Sequence, residues 1–182
     1  MNVVSGRIRD PIAIRRIGFD DYADIRYVHI RALTEQSFGA LSEHEVAAFA
    51  AFVNSPAYSD SLLAEELLGA FVEGQLVGTA GWQFNGDDGR VARISSVFVH
   101  PQFSRLGIGR RLLAEVETRA FRSGFTLLGT SATINAVGFF EKLGYREASR
   151  GVRTLTPECS LPVAFMRKSV PLLMRRRNTP AA

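Results

Sequence analysis

The stretch from Ile94 to Gly124 constrains the fold of this chain more than any other. Its first six residues, Ile94–Val99, predict a buried strand, because β-branched residues dominate the run and His100-Pro101 ends it. From Ile108 onward the apolar residues recur at a helical period, which predicts an amphipathic helix that ends at Ser123-Gly124. A buried strand, a tight turn and a helix therefore follow one another directly.

The turn between them, residues 105–110, reads Arg-Leu-Gly-Ile-Gly-Arg. The first N–H groups of a helix have no internal partner and carry the positive end of its dipole, so the turn is a candidate anion site. Gly107 and Gly109 let a bulky anion approach the backbone, although a G-x-G turn can equally be a tight connection. Positive charge is added by three arginines: Arg105, Arg110 and Arg111. A diphosphate is the natural ligand, but the sequence lacks the P-loop pattern and the third glycine of a dinucleotide site.

Two motifs make the chain resemble the GNAT superfamily of acyl-CoA-dependent N-acyltransferases. The coenzyme A signature of that family, V-x-V-x-P followed by [QR]-x-x-G-x-[GA], is matched by Val97–Pro101 and Ser104–Gly109, with serine at the first position of its second part. Residues 135–145 resemble the family's second segment, N-A-x-x-F-Y-x-x-x-G-[FY]. The resemblance covers roughly residues 12 to 168 and is strongest from 91 to 146.

This resemblance implies an α/β (α+β) fold in which helices cover both faces of a mixed, mostly antiparallel central sheet. The hydrophobic patterns agree with it. Strands are predicted at 12–17, 68–73, 75–84, from 91 to 99, 125–131, 145–155 and 161–168. Helices are predicted from a cap at Asp20 to Gln36, from a capping box of Ser42 and Glu45 to Val53, from Ile108, and over 135–143.

The resemblance also implies that acetyl-CoA is the cosubstrate. The amides of residues 105–110 would hold its diphosphate, and its pantetheine arm would lie along Val97–Val99, where this strand splays from the strand at Phe125. Asn135 would contact the coenzyme from the other side. The predicted coenzyme-binding residues are Val97, Phe98, Val99, Arg105, Leu106, Gly107, Ile108, Gly109, Arg110, Asn135 and Phe140.

The catalytic residues are not identified by the resemblance. Phe140 stands where the family often has a tyrosine that protonates the thiolate, and Tyr145 matches a packing position instead. The glutamates that the family often uses as base have no match. Candidates for a base acting through water are Glu35, Asp87, Asp88 and His100, the last of which is equally a polar turn residue. Residues near the acceptor amine, by resemblance only, are Glu35, Gln36, Phe38 and Tyr58.

The leading functional hypothesis is an acetyl-CoA-dependent N-acetyltransferase that works by direct transfer to a primary amine of a small molecule or peptide. The alternative, motivated by Phe140 and the missing base, is an acyl-CoA-binding sensor or partner module with little transferase activity. A nucleic-acid binder that uses the C-terminal basic residues ranks last, because no aromatic residues are interleaved with Arg175–Arg177.

Length and composition favour one globular domain, and the resemblance implies that it spans residues 12–168, with an extension at 1–11 and a basic tail at 169–182. The net charge of +4 is an effect of residues 167–182, which carry five basic side chains and no acid and leave −1 for the rest. We therefore expect no nucleic-acid partner. Cys159 has no companion for a disulfide or a metal site, and the absence of a leader or an apolar span predicts a cytoplasmic protein without a membrane partner. A homodimer is an option, since many relatives pair.

Overall fold

The computed structural model describes residues 3–4, 7–8, 11–36, 41–84, 91–157 and 159–169. Near the start, β1 (Val3–Val4) and β2 (Arg7–Ile8) pair with each other in antiparallel fashion. The other strands of the described part form one seven-stranded sheet. They are β3 (Ala13–Arg16), β4 (Glu66–Val72), β5 (Gln75–Phe84), β6 (Val91–Val99), β7 (Leu127–Thr133), β8 (Arg146–Thr156) and β9 (Cys159–Ser169).

The strand order in this sheet is β3-β4-β5-β6-β7-β9-β8. Only β6 and β7 pair in parallel, and the other neighbours are antiparallel. A parallel pair needs a crossover connection, and here the crossover is the predicted helix that follows the glycine turn. The predicted mixed, mostly antiparallel sheet is confirmed.

The helices of the described residues cover both faces of the sheet, as predicted. They are α1 (Tyr22–Gln36), α2 (Glu43–Val53), α3 (Pro56–Leu63), α4 (Ile108–Arg122) and α5 (Val137–Glu141). The apolar stripe of α4, with Leu112, Leu113 and Val116, packs on one face of the sheet. Helices α1 to α3 pack on the other face, where Ile25, Val53 and Leu62 belong to a second core. The sheet therefore separates two apolar layers.

Two local predictions were wrong and one helix was missed. Asp20 does not cap the first helix; a 3-10 turn at Phe19–Asp21 precedes it, and Asp21 accepts a hydrogen bond from the N–H of Gly18 at 2.8 Å. Helix α3 was not predicted, although Ser55 caps it and Pro56 occupies its first turn. The helix expected over 135–143 is shorter, since a 3-10 turn precedes α5.

No helix within the described ranges has the length and apolar character that a bilayer crossing requires. Cys159 is the first residue of β9.

Candidate active site

The main cleft lies where the end of β6 meets the start of α4, and α5 closes its far side. Its volume is about 700 Å³. Of the predicted coenzyme-binding residues, all but Leu106 line this cleft: Val97, Phe98, Val99, Arg105, Gly107, Ile108, Gly109, Arg110, Asn135 and Phe140. The side chain of Leu106 packs against the core under α4 instead. The end of β6 and the turn after it thus share one cavity with Asn135 and Phe140, which lie further along the chain.

The turn before α4 directs unpaired amides towards the cleft. Gly107 is the N-cap of α4 with φ 81° and ψ 3°, and Arg105 also has a positive φ, 65°. The first backbone bond of the helix runs from the N–H of Arg111 to the carbonyl of Gly107, 3.1 Å. Among the described residues, no acceptor is found for the amides of residues 105–110. Unpaired amides at the positive end of a helix dipole are groups that suit an anion.

The two glycines of the turn have different roles. A Cβ at Gly107 would meet no heavy atom within 4 Å, so this position faces open space. A Cβ at Gly109 would lie 3.4 Å from Phe139 and from Val99, so Gly109 allows α5 and β6 to pack closely on the helix start. Gly107 therefore provides the backbone conformation and the access, whereas Gly109 provides the packing.

Positive charge surrounds the cleft, but not from all three predicted arginines. Arg105, Arg110 and Lys142 line it, and no acidic side chain does so among its described lining residues. Arg111 points elsewhere, since its guanidinium donates to the carbonyl of Ile12 at 3.4 Å. The charge on Arg111 is therefore not part of the anion site predicted at residues 105–110.

Strand β6 separates from β7 within the cleft. The parallel pairing runs from Val91 to Ile94 and stops there. At Ser96 the backbone has φ 52°, and the register against β5 shifts at the same place, so β6 contains a β-bulge. The hydroxyl of Thr79 donates to the carbonyl of Ser96 at 2.6 Å and ties the bulge to β5. The segment Val97–Val99 therefore follows the cleft without pairing to β7.

A buried histidine supports this bulge from behind. His29 on α1 is fully buried, with its Nε2 2.6 Å from Thr79 Oγ1 and its Nδ1 bonded to the hydroxyl of Tyr58. Burial lowers the pKa of His29 to about 3 and raises the pKa of Tyr58, so both side chains are neutral in the fold. His29 was not among the predicted site residues, because a single histidine on the apolar face of a helix carries no motif.

The side chains considered for proton transfer lie in different parts of the structure. Phe140 is buried, and its ring meets that of Tyr145 edge to face. The hydroxyl of Tyr145 is buried and has no hydrogen-bond partner among the described residues. Burial and the nearby Glu117 raise the pKa of Tyr145. Glu35 forms an ion pair with Arg31. His100 is buried, caps the 3-10 turn after β6 and does not line the cleft. Phe38, Asp87, Asp88 and the side chain of Gln36 lie outside the described residues.

Glu65 is an acidic residue that the sequence analysis did not consider. Burial raises its pKa above the ordinary value, although the nearby hydroxyls of Ser96 and Ser95 lower it. Those hydroxyls are close but not aligned, since neither Glu65 Oε2 nor Ser95 Oγ has a hydrogen-bond partner in the described part of the chain. Glu65 lies at the point where β6 leaves β7. No group of three or more His, Cys, Asp or Glu side chains among the described residues could hold a metal.

Solved structures with the same fold come from several organisms. A GCN5-related N-acetyltransferase of Rhodopseudomonas palustris is 25% identical with a TM-score of 0.79, covering 90% of this chain and 98% of its own. The PaiA N-acetyltransferase of Thermoplasma acidophilum, solved with coenzyme A, is 20% identical with a TM-score of 0.65, covering 88% and 99%. The yncA protein of Salmonella typhimurium, solved with its cofactor acetyl-CoA, is 18% identical with a TM-score of 0.61, covering 94% and 99%.

No curated protein sequence is a significant match to this chain. The sequence profile of the Acetyltransferase (GNAT) family matches residues 15–145, which include both motifs up to the aromatic residue that ends the second. The cleft fits the cosubstrate of that family, because it offers unpaired amides, positive charge and open space at Gly107 to a diphosphate. The chain is therefore a member of the GNAT acetyltransferase family, whose cosubstrate is acetyl-CoA.

Proposed function

We propose that this protein is an N-acetyltransferase that moves the acetyl group of acetyl-CoA to a primary amine, by direct attack within a ternary complex. One observation supports it above the others. The amides of residues 105–110 have no acceptor in the described part of the chain, and they open onto a cleft bordered by the end of β6 that has left β7. An unpaired helix start beside a separated strand suits an extended molecule with a diphosphate at one end.

Different residues of the cleft would bind different parts of the coenzyme. The amides of 105–110 would hold the diphosphate, with Arg105 and Arg110 adding charge. The backbone of Val97–Val99 would run along the pantetheine arm, and Asn135 would contact it from the α5 side. When bound, acetyl-CoA supplies an acetyl thioester. In this arrangement the reacting end of the molecule would lie near the bulge at Ser96.

The transfer requires two proton movements. The acceptor enters as an ammonium and loses two protons as its nitrogen bonds to the acetyl carbon and the carbon–sulfur bond breaks. One proton goes to the departing thiolate and the other to a base or solvent. Phe140 has no proton to give, and no tyrosine, cysteine or histidine occurs among the described lining residues. We therefore propose that solvent protonates the thiolate in this protein.

A second function, acyl-CoA binding with little transfer, is favoured by the same phenylalanine. A sensor or partner module needs the residues that bind the coenzyme but needs no proton donor. Phe140 packs in the core with rings of Phe139 and Tyr145 at 5.2 and 5.3 Å, as an apolar side chain does in a wall.

The two functions are separated by measuring binding and turnover on the same preparation. Calorimetry with coenzyme A measures binding. Incubation with acetyl-CoA and a panel of amines, followed by thiol release and by the mass of each amine, measures transfer. We expect both binding and an amine heavier by one acetyl group. Binding with no acetylated amine would favour the module, and no binding at all would contradict both functions.

A further inference from the structure

A charged cluster occupies the sheet face under helices α1 to α3, beside the β6 bulge. Glu65 directly precedes β4, and a Cβ at Gly81 on β5 would come within 2.5 Å of its Oε2. Gly81 pairs with Ser95 on β6, so Glu65 and Ser95 share this face. The glycine leaves room for the carboxylate to lie on the sheet at the point where β6 leaves β7.

The polar atoms at this point have no partners in the protein. Glu65 Oε2 and Ser95 Oγ are both buried without a hydrogen bond to any described residue, and Ser95 is only 8% exposed. Buried polar atoms are nearly always paired, so these two atoms mark a place on the sheet face where a hydrogen-bond donor is missing. A carboxylate and a hydroxyl together suit a donor with several N–H bonds, and a primary ammonium is such a group.

Two arginines approach the same carboxylate. Arg153 on β8 is partly buried, and it forms neither an ion pair nor a hydrogen bond with any residue that the structure describes. When the amide of Gln83 is turned so that its oxygen faces Arg93 on β6, that oxygen accepts from Arg93 Nε at 3.0 Å, so the hydrogen-bond partner of Arg93 is neutral and Glu65 is the acid that acts on its charge. Burial and the charge of Arg93 lower the pKa of Arg153, whereas Glu65 raises it.

The described part of the cluster therefore carries two positive charges for one negative charge. A partly buried guanidinium that shares a single counterion with a second arginine is costly, because it has lost water and gained only part of a compensating charge. An anion that enters with the acceptor would restore the balance. A second ammonium would be repelled by both arginines, so the cluster also selects against polyamines.

We propose that the acceptor is a small zwitterion, a primary amine that carries a carboxylate or another oxyanion, with its ammonium against Glu65 and Ser95 and its oxyanion against Arg153 and Arg93. This inference rests on the proposed acetyl transfer and names the substrate class of that site. Both charges of the ligand then meet a group of opposite sign, and the amine is held beside the bulge where transfer would take place.

The test on the unaltered protein compares matched acceptors. Each of the twenty protein amino acids is paired with its α-amide, and aminomethylphosphonate and spermidine complete the set. We expect the best amino acid to exceed its amide at least ten-fold in kcat/KM. The amide has the less basic amine, so intrinsic reactivity opposes this preference. Turnover of aminomethylphosphonate would show that any oxyanion serves, whereas its absence restricts the class to carboxylates.

Equal or faster turnover of the amides, or a preference for spermidine, would overturn the inference and leave the transferase intact. A protein that binds coenzyme A but acetylates none of these amines, nor any in the broader panel, overturns the proposed function itself. The two failures are thus distinguished without any variant.

Substitutions then assign the charges. Arg153→Gln should raise KM for the best amino acid at least ten-fold and leave KM for its amide unchanged. Arg150→Gln is the control, since Arg150 lies on the same strand, is exposed and pairs with Glu147. Glu65→Gln should lower turnover of the amino acid and the amide alike. Thermal melts confirm that each variant is folded, and equal KM values in Arg153→Gln and Arg150→Gln would contradict the assignment.

Discussion

At the scale of single residues, Gly107 has a matched counterpart in Gly74. Their φ values are 81° and 79°, and a Cβ at either position would meet nothing within 4 Å. Valine at either position therefore introduces the same backbone strain without a steric clash. Only Gly107 lies in the cleft.

We predict that Gly107→Val weakens coenzyme A binding about ten-fold or more, because its methyl groups stand in front of the amides that would hold the diphosphate. Gly74→Val should bind as the parent does. Calorimetric titration of both variants with coenzyme A makes the comparison. If Gly107→Val retained parental affinity, the diphosphate would have to bind elsewhere.

His29 predicts how stability depends on pH. Its pKa is about 3 in the folded protein against an ordinary 6.5, so the unfolded chain binds a proton in this interval that the folded chain does not. The free energy of unfolding therefore falls as pH falls below 6.5, by about 1.4 kcal/mol per pH unit from this group. Above pH 6.5 the contribution of His29 is complete and constant.

Urea unfolding of the parent and of His29→Gln, at several pH values between 7.5 and 5, isolates this contribution. The pKa of His100 is also lowered by burial, but His100 is present in both proteins and cancels. We expect the parent to lose more stability than the variant on acidification, with most of the difference below pH 6.5. Parallel pH profiles would mean that His29 is protonated in the folded state.

At the scale of elements, the bulge of β6 depends on a hydrogen bond from the neighbouring strand. Thr79→Val keeps the shape of the side chain but removes the donor to the Ser96 carbonyl and the partner of His29 Nε2. We predict a loss of about 1–3 kcal/mol in the free energy of unfolding. Thr130→Val is the control: Thr130 is also a buried strand residue, and it takes no part in the hydrogen bonds that join Thr79 to Ser96 and His29.

Urea unfolding measures both variants, and the rate of acetyl transfer is followed in parallel. A bulge that has lost its tie to β5 should also misplace Val97–Val99, so Thr79→Val should be slower as well as less stable. Equal stability losses in the two threonine variants would show that the Thr79 hydrogen bonds are not what holds the bulge.

Elements that are determined by residues close together in the sequence could be predicted, and elements that depend on distant residues could not. Helix α4 and the turn before it were predicted because hydrophobic period, glycine conformation and capping act within a few residues. The capping box of Ser42 and Glu45 was confirmed for the same reason. The bulge at Ser96 was not predicted, since its cause is a threonine 17 residues away on another strand.

The cluster around Glu65 was beyond sequence reasoning for a similar physical reason. Glu65, Arg93 and Arg153 belong to three different parts of the chain, and only the pairing of strands brings them to one face. The cleft beside the glycine turn was easier, because the turn and the helix start that border it are a single local motif. Sequence therefore predicted how the donor would be held, and the fold was needed to suggest what the acceptor is.

At the scale of the whole molecule, the cleft touches elements from both layers. Strand β6 is the middle strand of the seven, α4 packs on one face of the sheet, and Ala32 and Leu33 of α1 reach the cleft from the other. A ligand in the cleft therefore contacts parts of both apolar cores, and it binds only when the sheet and the two layers are assembled. Its binding energy should oppose global unfolding rather than a local opening.

We predict that coenzyme A at a hundred times its dissociation constant adds about 2.7 kcal/mol to the free energy of unfolding. For a chain of this size, this corresponds to a rise of about 5–10 °C in Tm, seen as one shifted transition. A thermal melt monitored by near-ultraviolet circular dichroism measures it. Gly74→Val should show the same rise in Tm. Gly107→Val should lose most of this rise at the same coenzyme concentration. If the melt instead split into two transitions, with only one responding to the coenzyme, the two layers would unfold separately and the cleft would belong to one of them alone.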